Sequence, residues 1–238
     1  MTPAAHASLF RSLFACPVCR GELALTEGGL CASCWQSLAQ PCSPPGHIQS
    51  PALYPLTALH FSYVLAGPVY SALRRWKNQR GQVFHRILFQ SGSRARIPYA
   101  TRALTPDFVI PVPQSPGRFW QIRGNPQLTV ARWLCRELGH PLQAEWLQIA
   151  QKPHRQAELR RSERLANSLE FRLHSKARLS ISGRRILLVD DFATTGRTLV
   201  RAAEILRSNG ARDVHAFCVG VHPRTLARAN SNEIGQLA

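Results

Sequence analysis

The stretch 186–199 reads ILLVDDFATTGRTL, and it decides how the C-terminal part of the chain folds. Its first four residues form a short apolar run, which is typical of a buried strand. A helix is predicted after it, because apolar residues then recur at helical spacing until Asn209-Gly210 ends the pattern; they are Leu199, Ala202, Ala203 and Leu206. The apolar run 214–221 predicts the next strand. Strand, loop, helix and strand in this order predict a parallel sheet of the α/β class.

Two carboxylates and a threonine-rich turn stand between that strand and that helix. Asp190 and Asp191 follow the apolar run, so we expect them at the carboxyl edge of the sheet, where open α/β folds bind ligands. The turn consists of Thr194, Thr195, Gly196, Arg197 and Thr198. It offers an anion backbone N–H groups, hydroxyls and a helix N-terminus, and its glycine permits close approach. A phosphate at the turn and vicinal hydroxyls at the carboxylates predict a sugar 5-phosphate ligand.

Further elements are predicted on the N-terminal side of this stretch. The apolar run 108–113, FVIPVP, predicts a buried strand, and the loop after it holds Arg118 and Arg123. A helix is expected from about Gln127 to Gly139, with an apolar stripe at Leu128, Ala131, Cys135 and Leu138. Shorter patterns predict helices at 71–77 and 156–169.

The first four of the seven cysteines have the spacing of metal ligands. They form two CxxC pairs, with glycines between the pairs; the four are Cys16, Cys19, Cys31 and Cys34. Each pair can turn two thiolates toward one tetrahedral centre, which predicts a structural zinc site. A redox CxxC is expected singly beside a βαβ unit, and an odd number of cysteines pairs poorly into disulfides. We therefore expect zinc and a reducing compartment.

A proline-rich connection follows the cysteine pairs. Cys42 begins a further CxxC-like element that has Pro45 where the second thiolate would stand, and whether Cys42 or His47 binds metal is left open. The stretch 41–55 holds five prolines, which is typical of an extended connection. We therefore divide the chain into a zinc ribbon with its linker, residues 1–50, and an α/β domain, residues 51–238.

The positive charge is placed unevenly. The chain has 30 Lys+Arg and 13 Asp+Glu, a formal net charge of +17. Residues 1–73 hold two basic and two acidic side chains, so the whole excess lies in 74–238. Arginine dominates it, which favours forked recognition of phosphate, although solvated surface arginines are the plain alternative. No apolar run approaches the length of a membrane span, and the first residues, MTPAAHASLFRSLF, do not show the basic stretch, apolar run and cleavage site of a secretory leader, so we expect a cytoplasmic protein with no membrane insertion.

The stretch 187–199 resembles the phosphoribosyltransferase signature, a hydrophobic strand followed by DD-x-x-TTG-x-T. Three other interpretations of the acidic pair are weighed. A response regulator lacks the TTG turn, a dehalogenase-type nucleophile needs Asp-x-Asp, and a helix N-cap needs only one acidic residue. The signature is therefore the preferred interpretation.

Other motifs are similar to those of the ComF/GntX family. PVP stands at 111–113, RGNPQ stands at 123–127 where that family has RGFNQ, and Trp76-Lys77 corresponds to its LK. A Q-x-x-L…R-x-x-N…F pattern spans 156–171. The resemblance implies an N-terminal zinc ribbon followed by a type I phosphoribosyltransferase-like parallel sheet flanked by helices. The chain departs from the family at Asn125-Pro126 and lacks the arginine that is usual upstream of Gln156.

The resemblance implies a ligand, 5-phosphoribosyl 1-diphosphate with magnesium, and a role in competence and DNA uptake. Asp190 and Asp191 would then bind the ribose hydroxyls and the turn 194–198 the 5-phosphate. Candidates for the diphosphate are Arg118, Arg123 and Lys77. Whether catalysis is retained is left open. The alternative is an accessory factor that binds single-stranded DNA and a protein partner, such as a helicase or translocase of the uptake machinery.

Overall fold

The computed structural model describes residues 16, 31, 33, 45–66, 70, 97–114, 125–150 and 170–227. Seven strands lie within these residues: β1 (Gly46–Ile48), β2 (Ala58–Val64), β3 (Phe108–Pro111), β4 (Leu147–Ile149), β5 (Phe171–Leu173), β6 (Arg185–Ala193) and β7 (Asp213–Val221). Five of them form one sheet in the order β1-β2-β7-β6-β3. The other two, β4 and β5, form a small antiparallel sheet of their own.

Four of the five strands in the central sheet are parallel. β7 pairs with β2 on one side and with β6 on the other, and β6 pairs in turn with β3. β1 runs antiparallel to β2 at the edge, so the sheet is mixed. The parallel arrangement brings the carboxyl ends of β3, β6 and β7 to the same edge of the sheet, and the acidic pair lies there.

Helices connect these strands with clear end signals. They are α1 (Tyr99–Arg102), α2 (Pro126–Leu138), α3 (Ser175–Ser180) and α4 (Arg197–Ser208). α2 begins at Asn125, whose side chain accepts from the Leu128 N–H at 2.9 Å, and ends at Gly139, which adopts φ 76°. A single 3₁₀ turn, Pro51–Leu53, lies between β1 and β2.

The core lies on both faces of the central sheet because alternate residues of β6 point to opposite sides. Ile186 and Leu188 belong to the cluster that includes α4, to which the predicted apolar stripe of that helix contributes. Leu187 and Val189 belong to the opposite cluster, which contains Trp133 of α2. Both clusters bury their members almost completely, so β6 is fixed along most of its length.

Most elements predicted around the acidic pair are confirmed. The strands at 108–113 and 214–221, the helix ending at Gly139 and the helix with its stripe from Leu199 to Leu206 are all present. β2 was not predicted as a strand. β1 falls before the expected domain boundary at residue 50, yet it pairs with β2 in the central sheet. The helices expected at 71–77 and 156–169 lie outside the described residues.

Candidate functional site

Asp190 and Asp191 lie within the C-terminal part of the strand β6 and not after it, since the strand continues to Ala193. Their exposed fractions are only 7% and 2%. Asp190 Oδ1 accepts a hydrogen bond from the Asp191 N–H, and Asp191 Oδ1 accepts from the Phe192 N–H, both at 2.8 Å. Each carboxylate is therefore anchored to the backbone that follows it, at the edge where ligands bind in open α/β sheets.

A third side chain reaches this pair from another element. Gln127, in the first turn of α2, donates a hydrogen bond from Nε2 to Asp190 Oδ1 at 3.3 Å. α2 follows residues 115–124, which lie outside the described residues, and packs against the face of β6 that carries Leu187 and Val189. The acidic pair is thus held by β6 and touched by the start of α2.

The turn after β6 is held by residues far from it in sequence. Thr225 Oγ1 donates to the Thr194 carbonyl oxygen at 2.7 Å. Gly196 adopts φ 72°, a left-handed conformation that glycine accepts readily, and forms the N-cap of α4. A Cβ added there would stand 3.1 Å from Leu53 Cδ2. The left-handed φ therefore favours glycine at this position for the sake of the fold itself, and the close approach of Leu53 adds to that preference.

The polar groups of the turn are accessible. Thr194, Thr195 and Arg197 are exposed and Thr198 is half-buried, while Gly196 is buried. The N–H groups of the first turn of a helix have no intrahelical acceptor, and among them the Arg197 N–H donates to Thr195 Oγ1 at 3.4 Å. That bond is long, so an anion can replace it at little cost.

Cys218 lies beside the acidic pair on β7, directly opposite Asp190. Burial raises the pKa of its thiol, and the negative charges of Asp190 and Asp191 raise it further. Burial also raises the pKa of Cys135, on α2, to about 11. A neutral, buried thiol is neither a nucleophile nor a good metal ligand, so the chemistry of this site rests on the carboxylates and the turn.

Several predicted site residues lie outside the described residues: Arg118, Arg123, Lys77, Cys19 and Cys34. Of the predicted zinc ligands, Cys16 is fully buried and Cys31 is half-buried, and both pack in the cluster that contains Trp133. Among the described residues, no group of three or more histidine, cysteine, aspartate or glutamate side chains is arranged to hold a metal ion. The zinc site and the diphosphate-binding residues therefore stay predictions.

Three contacts of the site were not predicted from the sequence. Gln127 was noticed as part of a motif but was given no role, and nothing indicated that Thr225 or Leu53 supports the turn. Thr225 is 31 residues from Thr194. Local sequence patterns do not predict contacts between residues so far apart in the chain. Gln127 could have been considered as a site residue, because it is a polar residue at the start of a predicted helix that follows a predicted arginine-containing loop.

The arrangement combines acceptors and donors a short distance apart. Two anchored carboxylates can accept hydrogen bonds from neighbouring hydroxyls, and exposed hydroxyl and N–H groups at the start of α4 can donate to an anion. A molecule that carries a diol beside a phosphate matches both halves.

A family comparison covers the part of the chain that holds this candidate site. Residues 128–232 match the family model described as the phosphoribosyl transferase domain, which includes Asp190, Asp191 and the whole turn. With the mixed, mostly parallel sheet and its flanking helices, this match confirms the predicted fold class, an α/β phosphoribosyltransferase-like domain. Among the described residues, no helix is long and apolar enough to cross a membrane.

Two curated relatives extend over most of the chain. The DNA utilization protein YhgH of Salmonella typhi is 28% identical over 229 residues, 86% of this chain and 95% of that relative. The protein of the same name from Escherichia coli K12 is 26% identical over 228 residues, with the same coverage of both chains. A solved purine phosphoribosyltransferase from Pyrococcus horikoshii is 23% identical, over 50% of this chain and 64% of that one, with a TM-score of 0.32.

Proposed function

We propose that this protein is a phosphoribosyltransferase-like member of the ComF/GntX family that binds 5-phosphoribosyl 1-diphosphate and takes part in the use of exogenous DNA. One observation carries the ligand part of the proposal: two buried carboxylates are anchored at the end of β6, immediately before the exposed threonine turn that starts α4. The link to DNA is supported by the relatives, both of which are described as DNA utilization proteins.

Each half of the site has a distinct task in this proposal. Asp190 and Asp191 accept hydrogen bonds from the two ribose hydroxyls, and the turn 194–198 donates to the 5-phosphate. Arg118, Arg123 and Lys77 are proposed for the diphosphate because guanidinium and ammonium groups offset its charge. Two carboxylates at this position suit a magnesium ion that arrives with the diphosphate, since Mg²⁺ commonly takes one or two carboxylates together with phosphates and waters.

Where transfer occurs, the bond between the ribosyl C1 and the diphosphate oxygen breaks and a bond from C1 to a base or an amine forms. The chain's contribution is then to orient the ribosyl group, offset the charge that develops on the leaving diphosphate and keep water away. The acceptor has no motif in this sequence, so the proposal covers binding of the phosphoribosyl group and leaves its acceptor unassigned.

Calorimetry with ribose 5-phosphate and with sulfate tests the division of tasks. Asp191→Asn keeps an oxygen for the Phe192 N–H but removes the charge, so it should weaken ribose 5-phosphate by about 10- to 100-fold, as loss of a charged hydrogen bond does. Sulfate affinity should stay the same because sulfate has no diol. Equal weakening of both ligands would contradict the assignment of the carboxylates to the ribose.

An accessory role in DNA handling is the second candidate, favoured by the net charge of +17 and by the names of the relatives. Single-stranded DNA binding should then weaken with salt, with a logarithmic slope of about −0.7 for each phosphate neutralised. Fluorescence anisotropy on the wild type and on Asp190→Asn separates the candidates. Binding that survives the substitution favours the accessory role, whereas diphosphate release that needs both Asp190 and a nucleobase favours the enzyme.

A structural zinc ion bound by Cys16, Cys19, Cys31 and Cys34 is proposed for the N-terminal part. Four thiolates in two CxxC pairs are a usual donor set for zinc, and zinc binding would supply much of the folding energy of so small a unit. Elemental analysis of the purified protein should give one zinc per chain, unchanged by Cys42→Ser. Two zinc ions per chain would show that Cys42 and His47 belong to a second site.

A further inference from the structure

Gln127 is nearly buried, with an exposed fraction of 8%, and its one observed partner among the described residues is Asp190. The contact joins the first turn of α2 to the end of β6, two elements 63 residues apart in sequence. Gln127 is therefore the described side chain through which α2 reaches the acidic pair.

The direction of this hydrogen bond fixes the orientation of the Gln127 amide. An ionised carboxylate only accepts hydrogen bonds, so the Nε2 group must face Asp190 and the Oε1 atom must face away from it. Oε1 is buried and has no hydrogen-bond partner within the described part of the chain. Among the described residues, the amide thus gives a donor to Asp190 and receives none at its own acceptor.

That arrangement is a poor way to stabilise a fold. A buried acceptor without a donor is unfavourable, and the bond it accompanies is long at 3.3 Å. An apolar side chain of similar length would bring no unsatisfied oxygen into this space, and the other side chains that α2 buries nearby, Val130 and Ala131, are apolar. Residues that weaken local packing for no structural gain tend to serve a functional site.

The contact also limits the rotation of the carboxylate. Asp190 Oδ1 accepts from two donors that belong to different elements, the Asp191 N–H of β6 and the Nε2 of Gln127 on α2. Each donor that approaches from a different direction narrows the range of orientations open to the carboxylate. A defined orientation matters for a group that must accept from a hydroxyl at a set position.

We propose that Gln127 is a positioning residue for Asp190, which sets the orientation of that carboxylate toward the ribose hydroxyls and so contributes to the preference for a ribosyl ligand over a plain anion. The proposal rests on the proposed binding of a phosphoribosyl compound. It predicts that Gln127 improves ribosyl affinity without improving stability.

Calorimetry with ribose 5-phosphate and sulfate tests this on Gln127→Leu. The ribose 5-phosphate affinity should fall roughly tenfold, sulfate affinity should not change, and the midpoint of thermal unfolding should stay or rise. Thr129→Val is the matched control on the same helix turn, since it loses the hydrogen bond from Thr129 Oγ1 to the Asn125 carbonyl, at 3.1 Å, without contacting Asp190. The control should leave the ratio of the two affinities at its wild-type value.

Gln127→Glu adds a measurement, the pH dependence of ligand affinity, that should not change if Gln127 has a purely structural role. When ionised, the new carboxylate repels Asp190 and ribose 5-phosphate should bind weakly. When protonated at lower pH, its O–H can donate to Asp190, so the affinity relative to wild type at the same pH should recover. The Gln127→Leu variant has no such group, and its relative affinity should stay low at every pH.

The outcomes separate this proposal from the function on which it rests. A wild-type chain with no preference for ribose 5-phosphate over sulfate overturns the proposed function and this role with it. A wild-type preference that persists in Gln127→Leu, or a Gln127→Glu deficit that does not respond to pH, overturns the role of Gln127 alone. If Gln127→Leu does not fold, the pH dependence of Gln127→Glu still decides.

Discussion

The carboxyl end of β6 and one face of the strands β1, β2 and β7 both bring polar side chains together, but they assemble them in opposite ways. At the end of β6, Asp190 and Asp191 are neighbours in sequence and each accepts a backbone N–H. On that face of the sheet, three histidines from three strands meet through strand pairing: His47, His60 and His215. We call these three residues the histidine row.

The histidine row is held by contacts between its own rings. The His47 and His60 rings stack with centroids 5.7 Å apart, and His60 Nε2 lies 3.3 Å from His215 Nδ1. His60 is 2% exposed, and its Nδ1 has no hydrogen-bond partner among the residues that the structure describes. Burial lowers the pKa of His60 to about 3, helped by the proximity of His215 and His47.

The two regions differ in what surrounds their polar side chains. The acidic pair accepts hydrogen bonds from backbone N–H groups, and it stands at the edge of the sheet where ligands bind in open α/β folds. In the histidine row, burial and the neighbouring His215 and His47 oppose protonation of His60, so the fold keeps that imidazole neutral. We therefore expect substitutions in the first region to change ligand binding and substitutions in the second to change stability.

The largest effect is expected at the turn next to the acidic pair. Gly196→Val should abolish binding of ribose 5-phosphate, because the left-handed φ of 72° and the approach to Leu53 force the start of α4 to move. Gly196→Ala should show the same direction, with a loss of stability of at least about 1–2 kcal/mol from backbone strain alone. Calorimetry and urea unfolding measure the two effects.

Gly183 is the matched control for this substitution. It has the same φ of 72°, but a Cβ added there meets nothing within 4 Å. Gly183→Ala should therefore lose only the strain energy and keep full ligand affinity. If both glycine variants bind ribose 5-phosphate normally, the turn is not part of the ligand site.

A smaller effect, confined to acidic solution, is expected at the histidine row. The pKa of His60 in the folded chain lies below its value of 6.5 in the unfolded chain, so the unfolded state binds a proton first as the pH falls. Stability should be fully present above pH 6.5. Between pH 6.5 and 3 this residue should shift the unfolding equilibrium constant about tenfold for each pH unit toward unfolding.

His60→Phe removes the group that takes up this proton. The number of protons taken up on unfolding, which sets the slope of the free energy of unfolding against pH, should therefore fall by about one in this range. Urea unfolding at several pH values measures the slope, and ribose 5-phosphate binding at neutral pH should be unaffected. The pKa of His215 is also lowered, chiefly by burial, so some slope should remain in the variant. An unchanged slope would contradict the assignment of a neutral, buried His60.

The smallest effect is expected at the opposite end of β6. Arg184 pairs with Asp107 at 3.0 Å, but its side chain is 53% exposed, and Asp107 also accepts from the Arg185 N–H at 2.8 Å. Arg184→Ala should cost less than about 1 kcal/mol and leave ligand binding intact. Urea unfolding measures this change in the free energy of unfolding. If Arg184→Ala lowered that free energy as much as Gly196→Ala does, the amino end of β6 would be more tightly coupled to the site than its contacts indicate.

The sequence by itself determined the elements whose signals are local. The apolar run of β6, the stripe of α4 and the glycine that ends α2 were all predicted at the right places, because strand and helix periodicity are properties of neighbouring residues. The acidic pair and its turn were found for the same reason, since 190–198 is one continuous stretch.

Only the tertiary structure decided which distant residues meet there. Three contacts depend on how α2, the turn at 51–53 and the chain after β7 pack against the sheet. They are the hydrogen bond from Gln127 to Asp190, the hydrogen bond from Thr225 to the Thr194 carbonyl, and the close approach of Leu53 to Gly196. The histidine row depends likewise on the register of β1, β2 and β7. Local patterns carry no information on register or on the approach of separate elements, because these are fixed by burial across the whole sheet.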